Sequence, residues 1–298
     1  MFVSSNRLSD IKAYFHSKLA ADFSENEINL MVKYLSIKRL NISSFDFLTS
    51  KPILLSESDL LYFNFALKRL LKNEPFQYIL GDVEFYGLEL NSDVRALIPR
   101  PETEELVDWV LSSVVDDQSL KIADLCSGSG CIALALKSKL PQSEIIAAEL
   151  SIDAIALIEE NCLKTKLEIV TQKMDVLNPV DYSIFEKNSF DAWVSNPPYI
   201  PNKEKALMAP NVLDFEPHMA LFVEDNEPLI FYSVIALEAK KYLKNNGHLL
   251  FEIHEELSAE MHEMLLNLGF VNIELRKDLQ GKARMMRAQN VISSHESN

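Results

Sequence analysis

From Lys121 onward, short apolar runs suited to β-strands alternate with longer amphipathic stretches, and no other pattern in this sequence restricts the fold as tightly. The strand-like runs lie near 121–125, 145–149, 168–174, 190–195, 248–253, 271–276 and 284–290. Helical stretches separate them. That order predicts an α/β fold, a doubly wound and mostly parallel sheet of seven strands. Pro101 opens a helix just ahead of the sheet, with Leu106, Val107, Val110, Leu111 and Val114 on its apolar face. Gly247 and Gly269 are expected to end two of the later helices.

The first 73 residues read differently. Ile11, Tyr14, Phe15 and Leu19 share one helical face, Ile28, Met31, Val32 and Leu35 a second, and Leu60, Phe63, Leu67, Leu70 and Leu71 a third. Ser24 with Glu27 three residues on is a capping-box pattern. No glycine precedes Gly81, as befits a helical bundle. Residues 76–99 alternate apolar and polar around Gly81 and Gly87, which predicts a β-hairpin. The expected division is a helical domain over 1–74, a hairpin linker over 75–99, a sheet domain over 100–291 and a loose tail over 292–298.

In an open parallel sheet, ligands bind at the carboxyl ends of the strands, so the residues after each strand carry the functional signal. The run Leu120–Gly130, L-K-I-A-D-L-C-S-G-S-G, is a strand followed by a small-residue turn, and a helix follows over Ile132–Leu140. Gly128 and Gly130 let a ligand approach the backbone with no Cβ in the way. Alone this is weak, because Gly-Ser turns are common. The next strand ends in Glu149, about twenty residues on, where an acid can accept both hydroxyls of a ribose. The third ends in Asp175, whose carboxylate can take the exocyclic amine of an adenine. Each acid singly reads as a solvated strand end; the series in chain order is harder to dismiss.

The fourth strand runs into Asn196-Pro197-Pro198-Tyr199. Both prolines fix φ, lack an N–H and push the preceding residue towards extended geometry, so the strand has a rigid exit. The Asn196 side-chain oxygen and a prolyl carbonyl can each accept one N–H of a flat NH₂ group, with Tyr199 packed on its planar face. The plain alternative is a proline-rich turn with a capping Asn. After Tyr199 comes Ile200–Glu227, a long segment with Pro201, Pro210 and Pro217 and no clear period, a candidate lid over the site.

Taken together these motifs resemble the class I S-adenosylmethionine methyltransferases, and within them the HemK-type (PrmC) release-factor glutamine methyltransferases. Phe76–Gly81 with Glu84–Gly87, Ile98-Pro99-Arg100-Pro101-Glu102-Thr103-Glu104, Phe215-Glu216-Pro217 with Ala220-Leu221, and Arg284 carry the narrower likeness, which runs from about Pro75 to Arg284. The resemblance implies S-adenosylmethionine as methyl donor, S-adenosylhomocysteine as product and no metal. It implies cofactor contacts from Asp124, Cys126, Ser127, Gly128, Ser129, Gly130, Glu149, Asp175, Val176 and Asn196, with Asn196, Pro197, Pro198 and Tyr199 binding substrate and Asn196, Pro197 and Tyr199 serving catalysis. The implied substrate is the glutamine of the Gly-Gly-Gln tripeptide in peptide chain release factors; the helical domain is either a structural extension or, as the resemblance suggests, a substrate-docking module. Two positions depart from the pattern. The family usually has Gly where this chain has Cys126, and a Cβ there is expected to force a negative φ. Glu149 stands where Asp is commoner.

Composition narrows the partners. The chain has 298 residues, enough for two domains with their own cores, and 48% apolar residues without any run of about 20 that would span a membrane. No signal-peptide pattern opens it, and Cys126, Cys131 and Cys162 suggest no disulfide framework or zinc site, so a cytoplasmic monomer without membrane contact is expected. His248 and His254 flank a late strand and read as structural. Residues 1–75 carry 10 basic and 8 acidic side chains, and residues 76–298 carry 19 and 36. So acidic a catalytic half argues against direct nucleic-acid binding, and hence against an adenine N6 or guanine N2 methyltransferase, which would use a similar Asn-Pro-Pro-aromatic loop.

Overall fold

The computed structural model describes residues 5–49, 52–114 and 119–292. The chain divides into two compact units, one reaching to Asp82 and including Ala209–Phe215, the other formed by Val83–Met208 with Glu216 onward. The expected tail lies, from residue 293, outside the described residues.

The first unit is built from α1 (Leu8–Leu19), α2 (Glu25–Leu40), α3 (Ser44–Leu48), α4 (Glu57–Leu70) and α5 (Phe76–Leu80). The three periodic faces close on one buried core that contains Ile11, Phe15, Ile28, Val32, Phe63 and Leu67. Leu71, expected on the third face, is exposed. At the start of α2 the Ser24 N–H donates to Glu27 Oε2 at 2.7 Å, while Ser24 Oγ accepts the Glu27 N–H at 3.3 Å. The same reciprocal cap opens α3 at Ser43 and Asp46 and α4 at Ser56 and Asp59. Phe76–Leu80 was expected in a hairpin and instead forms α5, because Gly81 at φ 80 closes a helical turn there. The hairpin is confined to β1 (Asp82–Phe85) and β2 (Leu88–Asn91).

In chain order there follow α6 (Pro101–Ser113), β3 (Lys121–Leu125), α7 (Cys131–Lys139), β4 (Glu144–Glu149), α8 (Ile152–Thr165), β5 (Val170–Lys173), β6 (Phe190–Ser195) and β7 (Ile200–Pro201). Then come α9 (Pro210–Phe215, part of the first unit), β8 (Phe222–Val223), α10 (Ile230–Tyr242), β9 (Leu243–Glu252), α11 (Ser258–Asn267), β10 (Val271–Lys277) and β11 (Ala283–Gln289). The main sheet has seven strands in the order β10-β11-β9-β6-β3-β4-β5, parallel from β9 to β5, with β11 antiparallel to both its neighbours. Side chains alternate across it. Along β6, Trp193 packs into the core on one face and Ala192 and Val194 into the core on the other, while a register shift between Phe190 and Ala192 interrupts the alternation and leaves Phe190 with Trp193.

Two expectations change here. Gly247 does not end a helix. Helix α10 stops at Tyr242 with extended Leu243 after it, and Gly247 lies inside β9, where an added Cβ would come within 3.0 Å of the Lys244 carbonyl oxygen and 3.1 Å of that of Phe190. Gly269 does follow α11, at φ 78. The Ile200–Glu227 segment is also more ordered than its missing period suggested. Its elements, including short 3₁₀ helices at Asn202–Leu207 and His218–Ala220, are too short to show a period.

The topology fixes where a ligand can sit. From β3 the chain moves to β4 and β5 on one side, then crosses back to β6 on the other, so strand order reverses between β3 and β6. Leu125 pairs with Ala148 of β4 and Ser195 of β6, and Glu149 pairs with Lys173 of β5. The four sequence motifs therefore emerge side by side along one edge.

Candidate active site

A cavity of about 370 Å³ opens at that edge, within the range of small-molecule sites. Cys126, Ser127, Gly128, Ser129, Glu149, Asp175, Val176, Asn196 and Pro198 line it. Asp124, Gly130, Pro197 and Tyr199 do not line it; they support those that do.

The turn after β3 is held by its own backbone. The Ser127 N–H donates to the Ala148 carbonyl at 3.1 Å, the Gly130 N–H to the Ser127 carbonyl at 2.8 Å, and Ser127 Oγ to the Asp124 carbonyl at 2.7 Å. To make these bonds the chain must turn left-handed directly after Leu125. Cys126 accordingly has φ 60, against the expected negative value. A left-handed non-glycine residue costs about 1–2 kcal/mol, which the turn's hydrogen bonds offset. Burial pushes the Cys126 thiol far up, with the charges of Glu149 and Asp124 adding to the effect, so it stays neutral.

Two acids brace the turn. Glu149 Oε2 accepts the Gly128 N–H at 2.9 Å, and Oε1 accepts those of Leu150 and Ser151 at 2.9 and 2.8 Å. Burial raises its pKa, and the three N–H bonds oppose that rise. Asp124 is fully buried below the turn. Its Oδ2 accepts the Ala133 N–H of α7 at 3.2 Å while Oδ1 has no hydrogen-bond partner among the described residues, and burial lifts its pKa from 3.8 to about 8. Asp175 keeps one oxygen for the Leu177 N–H at 2.9 Å.

Gly128 has φ +55, and a Cβ there would meet only Ala96, at 4.0 Å; Gly130 has φ +77, where a Cβ would strike Ile158 at 3.1 Å. Backbone bare of side chains, a braced acid at the end of β4 and Ser129 Oγ, which has no hydrogen-bond partner among the described residues, fit a nucleoside ligand with a small polar tail.

Asn196 follows β6, half-buried, and no hydrogen bond among the described residues engages its side chain. Pro197 and Pro198 are buried. Tyr199 turns away from the cavity into the core: its ring meets His254 edge-on at 6.0 Å, and its hydroxyl lies 3.3 Å from Glu252 Oε1. Buried Glu252 also accepts the Thr103 hydroxyl at 2.7 Å, and burial raises its pKa. His254 lies 3.2 Å from Glu204, while His248 sits within β9 paired with Ala192. On the far wall Glu216, almost fully buried, accepts the Ile98 N–H at 3.1 Å and an Arg100 N–H at 2.6 Å. Residues that sequence reasoning left outside the site also line it, among them Arg95, Thr103, Met219, Phe222 and Phe231. Thr103 and Arg100 stood within a motif; isolated apolar residues such as Phe231 carried no signal.

Residues 107–213 match the profile of the methyltransferase small domain, and residues 16–81 that of the PrmC N-terminal domain. The chain is 37% identical over 283 residues to the release factor glutamine methyltransferase of Flavobacterium psychrophilum, covering 94% of this chain and 98% of that one. It is 34% identical to the enzyme of the same name from Bacteroides thetaiotaomicron, over 94% and 99% of the two chains. The chain belongs to the release factor glutamine methyltransferase family.

The solved delta-N METTL16 MTase domain aligns with 70% of this family member and 90% of its own length at a TM-score of 0.52 and 19% identity, a likeness of fold alone. Among the described residues of this family member, no helix is long and apolar enough to cross a membrane, and no cluster of His, Cys, Asp and Glu could hold a metal ion.

Proposed function

We propose that this chain transfers a methyl group from S-adenosylmethionine to the side-chain amide nitrogen (N5) of the glutamine in the Gly-Gly-Gln tripeptide of peptide chain release factors. The observation that carries this reading is the unengaged Asn196 side chain, which lines the cavity at the rigid exit of β6 beside the turn after β3. Family membership favours a protein glutamine over a nucleic-acid amine, and the acidic balance of residues 76–298 agrees.

Gly128, Ser129 and Glu149 would hold the ribose and the amino-acid end of the donor, and Asp175 with Val176 its adenine. Bound there, S-adenosylmethionine supplies a methyl group already activated by its positive sulfur. An amide nitrogen is a poor nucleophile because its lone pair is delocalised, and no strong base stands near Asn196 among the described residues. The carbon–sulfur bond therefore breaks as the nitrogen–carbon bond forms, and one amide proton leaves to solvent only as that bond forms. The work left to the chain is positioning. Asn196 Oδ1 and the Pro197 carbonyl accept the two amide hydrogens and aim the nitrogen; holding it in line at near-attack distance supplies several kcal/mol. Tyr199 acts from behind, as a strut for the proline turn. Pro217, Met219 and Phe222, which line the cavity, support a covering role for the stretch after Glu216.

The helical unit serves as the docking module for the release factor; its exposed Phe45, Leu48 and Phe65 support this. Such an enzyme works as a cytoplasmic monomer, where translation ends. Incubation with S-adenosylmethionine and a purified release factor should add one methyl mass to the peptide bearing Gly-Gly-Gln. Methylation of RNA or DNA, with that peptide unchanged, would reverse the assignment.

A further inference from the structure

Only two cationic side chains line the cavity among the described residues, Arg95 and Arg100. Arg95 is spent. Its Nε and Nη2 donate to Asp93 at 2.9 and 2.7 Å, and its Nη1 and Nη2 to Glu160 at 2.8 and 2.7 Å, so every guanidinium nitrogen already has a carboxylate. Arg100 donates through Nη2 alone, to Glu216 Oε1 at 2.6 Å. Its Nε and Nη1 have no partner among the described residues. A guanidinium carries five donors in a fixed fork, so anchoring one nitrogen aims the rest.

The anchor is a built one. Glu216 is 3% exposed, and its second oxygen accepts the Ile98 N–H at 3.1 Å. One buried carboxylate thus fixes both the backbone just before Arg100 and the guanidinium itself. Sequence position gives no hint of the pairing, which spans more than a hundred residues.

We propose that Arg100, aimed by Glu216 as a positioning residue, is the cavity's binding group for an acceptor oxygen of a reactant. This rests on the reading of the cavity as a methyl-transfer site. Glu216 already balances the charge of Arg100, so the free N–H groups suit an oxygen that accepts in the plane of the fork. Two sources present one: the carboxylate at the amino-acid end of the methyl donor, and a main-chain carbonyl flanking the substrate glutamine.

Binding to the full-length protein separates these sources without relying on turnover. Calorimetric Kd values for S-adenosylhomocysteine and for a purified release factor would be measured on the wild type, Arg100→Gln, Arg100→Lys and Glu216→Gln. Loss of hydrogen bonds from a charged donor should weaken one of the two ligands by about 10- to 100-fold in Arg100→Gln. Weaker S-adenosylhomocysteine binding identifies the carboxylate, and weaker release-factor binding identifies the carbonyl. Arg100→Lys should recover part of the loss. Glu216→Gln keeps an acceptor for Ile98 and should weaken the same ligand, and the double variant should be no worse than Arg100→Gln. A purely structural pair would lower the unfolding midpoint and leave both Kd values at the wild-type level, which would overturn the proposal. Absence of methyl transfer by the wild type would count against the function and leave these binding results standing.

Discussion

Glu149 holds Gly128: one carboxylate oxygen accepts the glycine N–H at 2.9 Å across the gap between β4 and the turn after β3. The other oxygen takes the N–H groups of Leu150 and Ser151. One acid thereby sets the shape of the turn. Glu149→Gln would point an amide NH₂ at backbone donors on one side. We expect it to weaken S-adenosylmethionine binding by about 10- to 100-fold, read as a smaller ligand-induced rise in the thermal midpoint. An undiminished rise would mean that Glu149 is not the brace.

Asp124 makes a prediction about pH. Folded, it keeps its proton up to about pH 8, against 3.8 for the ordinary side chain. Between those values the native state holds more protons than the unfolded chain, so this group's contribution to stability falls as pH rises through the window. Asparagine at 124 can still accept the Ala133 N–H and carries no charge to bury. The stability of Asp124→Asn relative to wild type should therefore increase from pH 5 to pH 8 in urea titrations. Parallel pH curves for the two proteins would show that Asp124 is ionised throughout.

Two glycines test the turn itself. Gly87 and Gly130 both have φ 77, but a Cβ at Gly87 meets nothing within 4 Å whereas one at Gly130 meets Ile158 at 3.1 Å. Gly87→Ala should cost about 1 kcal/mol, the left-handed strain alone. Gly130→Ala should cost about 1–3 kcal/mol more, from overpacking. Equal losses in chemical denaturation would show that Ile158 yields freely.

Thr103 supplies the short bond to buried Glu252, which also faces the Tyr199 hydroxyl. Thr103→Val conserves shape and deletes the donor. It should destabilise the protein by about 1–3 kcal/mol, because a buried acceptor loses a partner. Wild-type stability in this variant would show that Glu252 is satisfied without Thr103.

Much of this could be read in the sequence because strands and caps are local. The alternation after Lys121 marks all seven sheet strands, and Ser24 with Glu27 marks the start of α2. The candidate site was legible where chemistry-bearing residues stand at strand ends, as at Gly128, Glu149, Asp175 and Asn196. What escaped was set by distant partners. Cys126 takes a left-handed φ because bonds from Ser127 and Gly130 close the turn around it, and no local preference signals that. Gly247 reads as a helix end until the carbonyl of Phe190, on a neighbouring strand, shows why a side chain is barred there. Tyr199 reads as a stacking platform in its motif, yet in the fold its hydroxyl faces Glu252 and its ring His254.

Labelled methyl transfer from S-adenosylmethionine would show whether Asn196 presents a glutamine amide to an activated methyl group. Wild-type protein and Asn196→Ala would each be given a release factor and the same factor with its Gly-Gly-Gln glutamine changed to alanine. Label is expected only on the unaltered factor, with a rate about 10²-fold or more lower for Asn196→Ala and S-adenosylmethionine binding nearly unchanged. Label on both factors, or near-normal turnover by Asn196→Ala, would contradict this assignment.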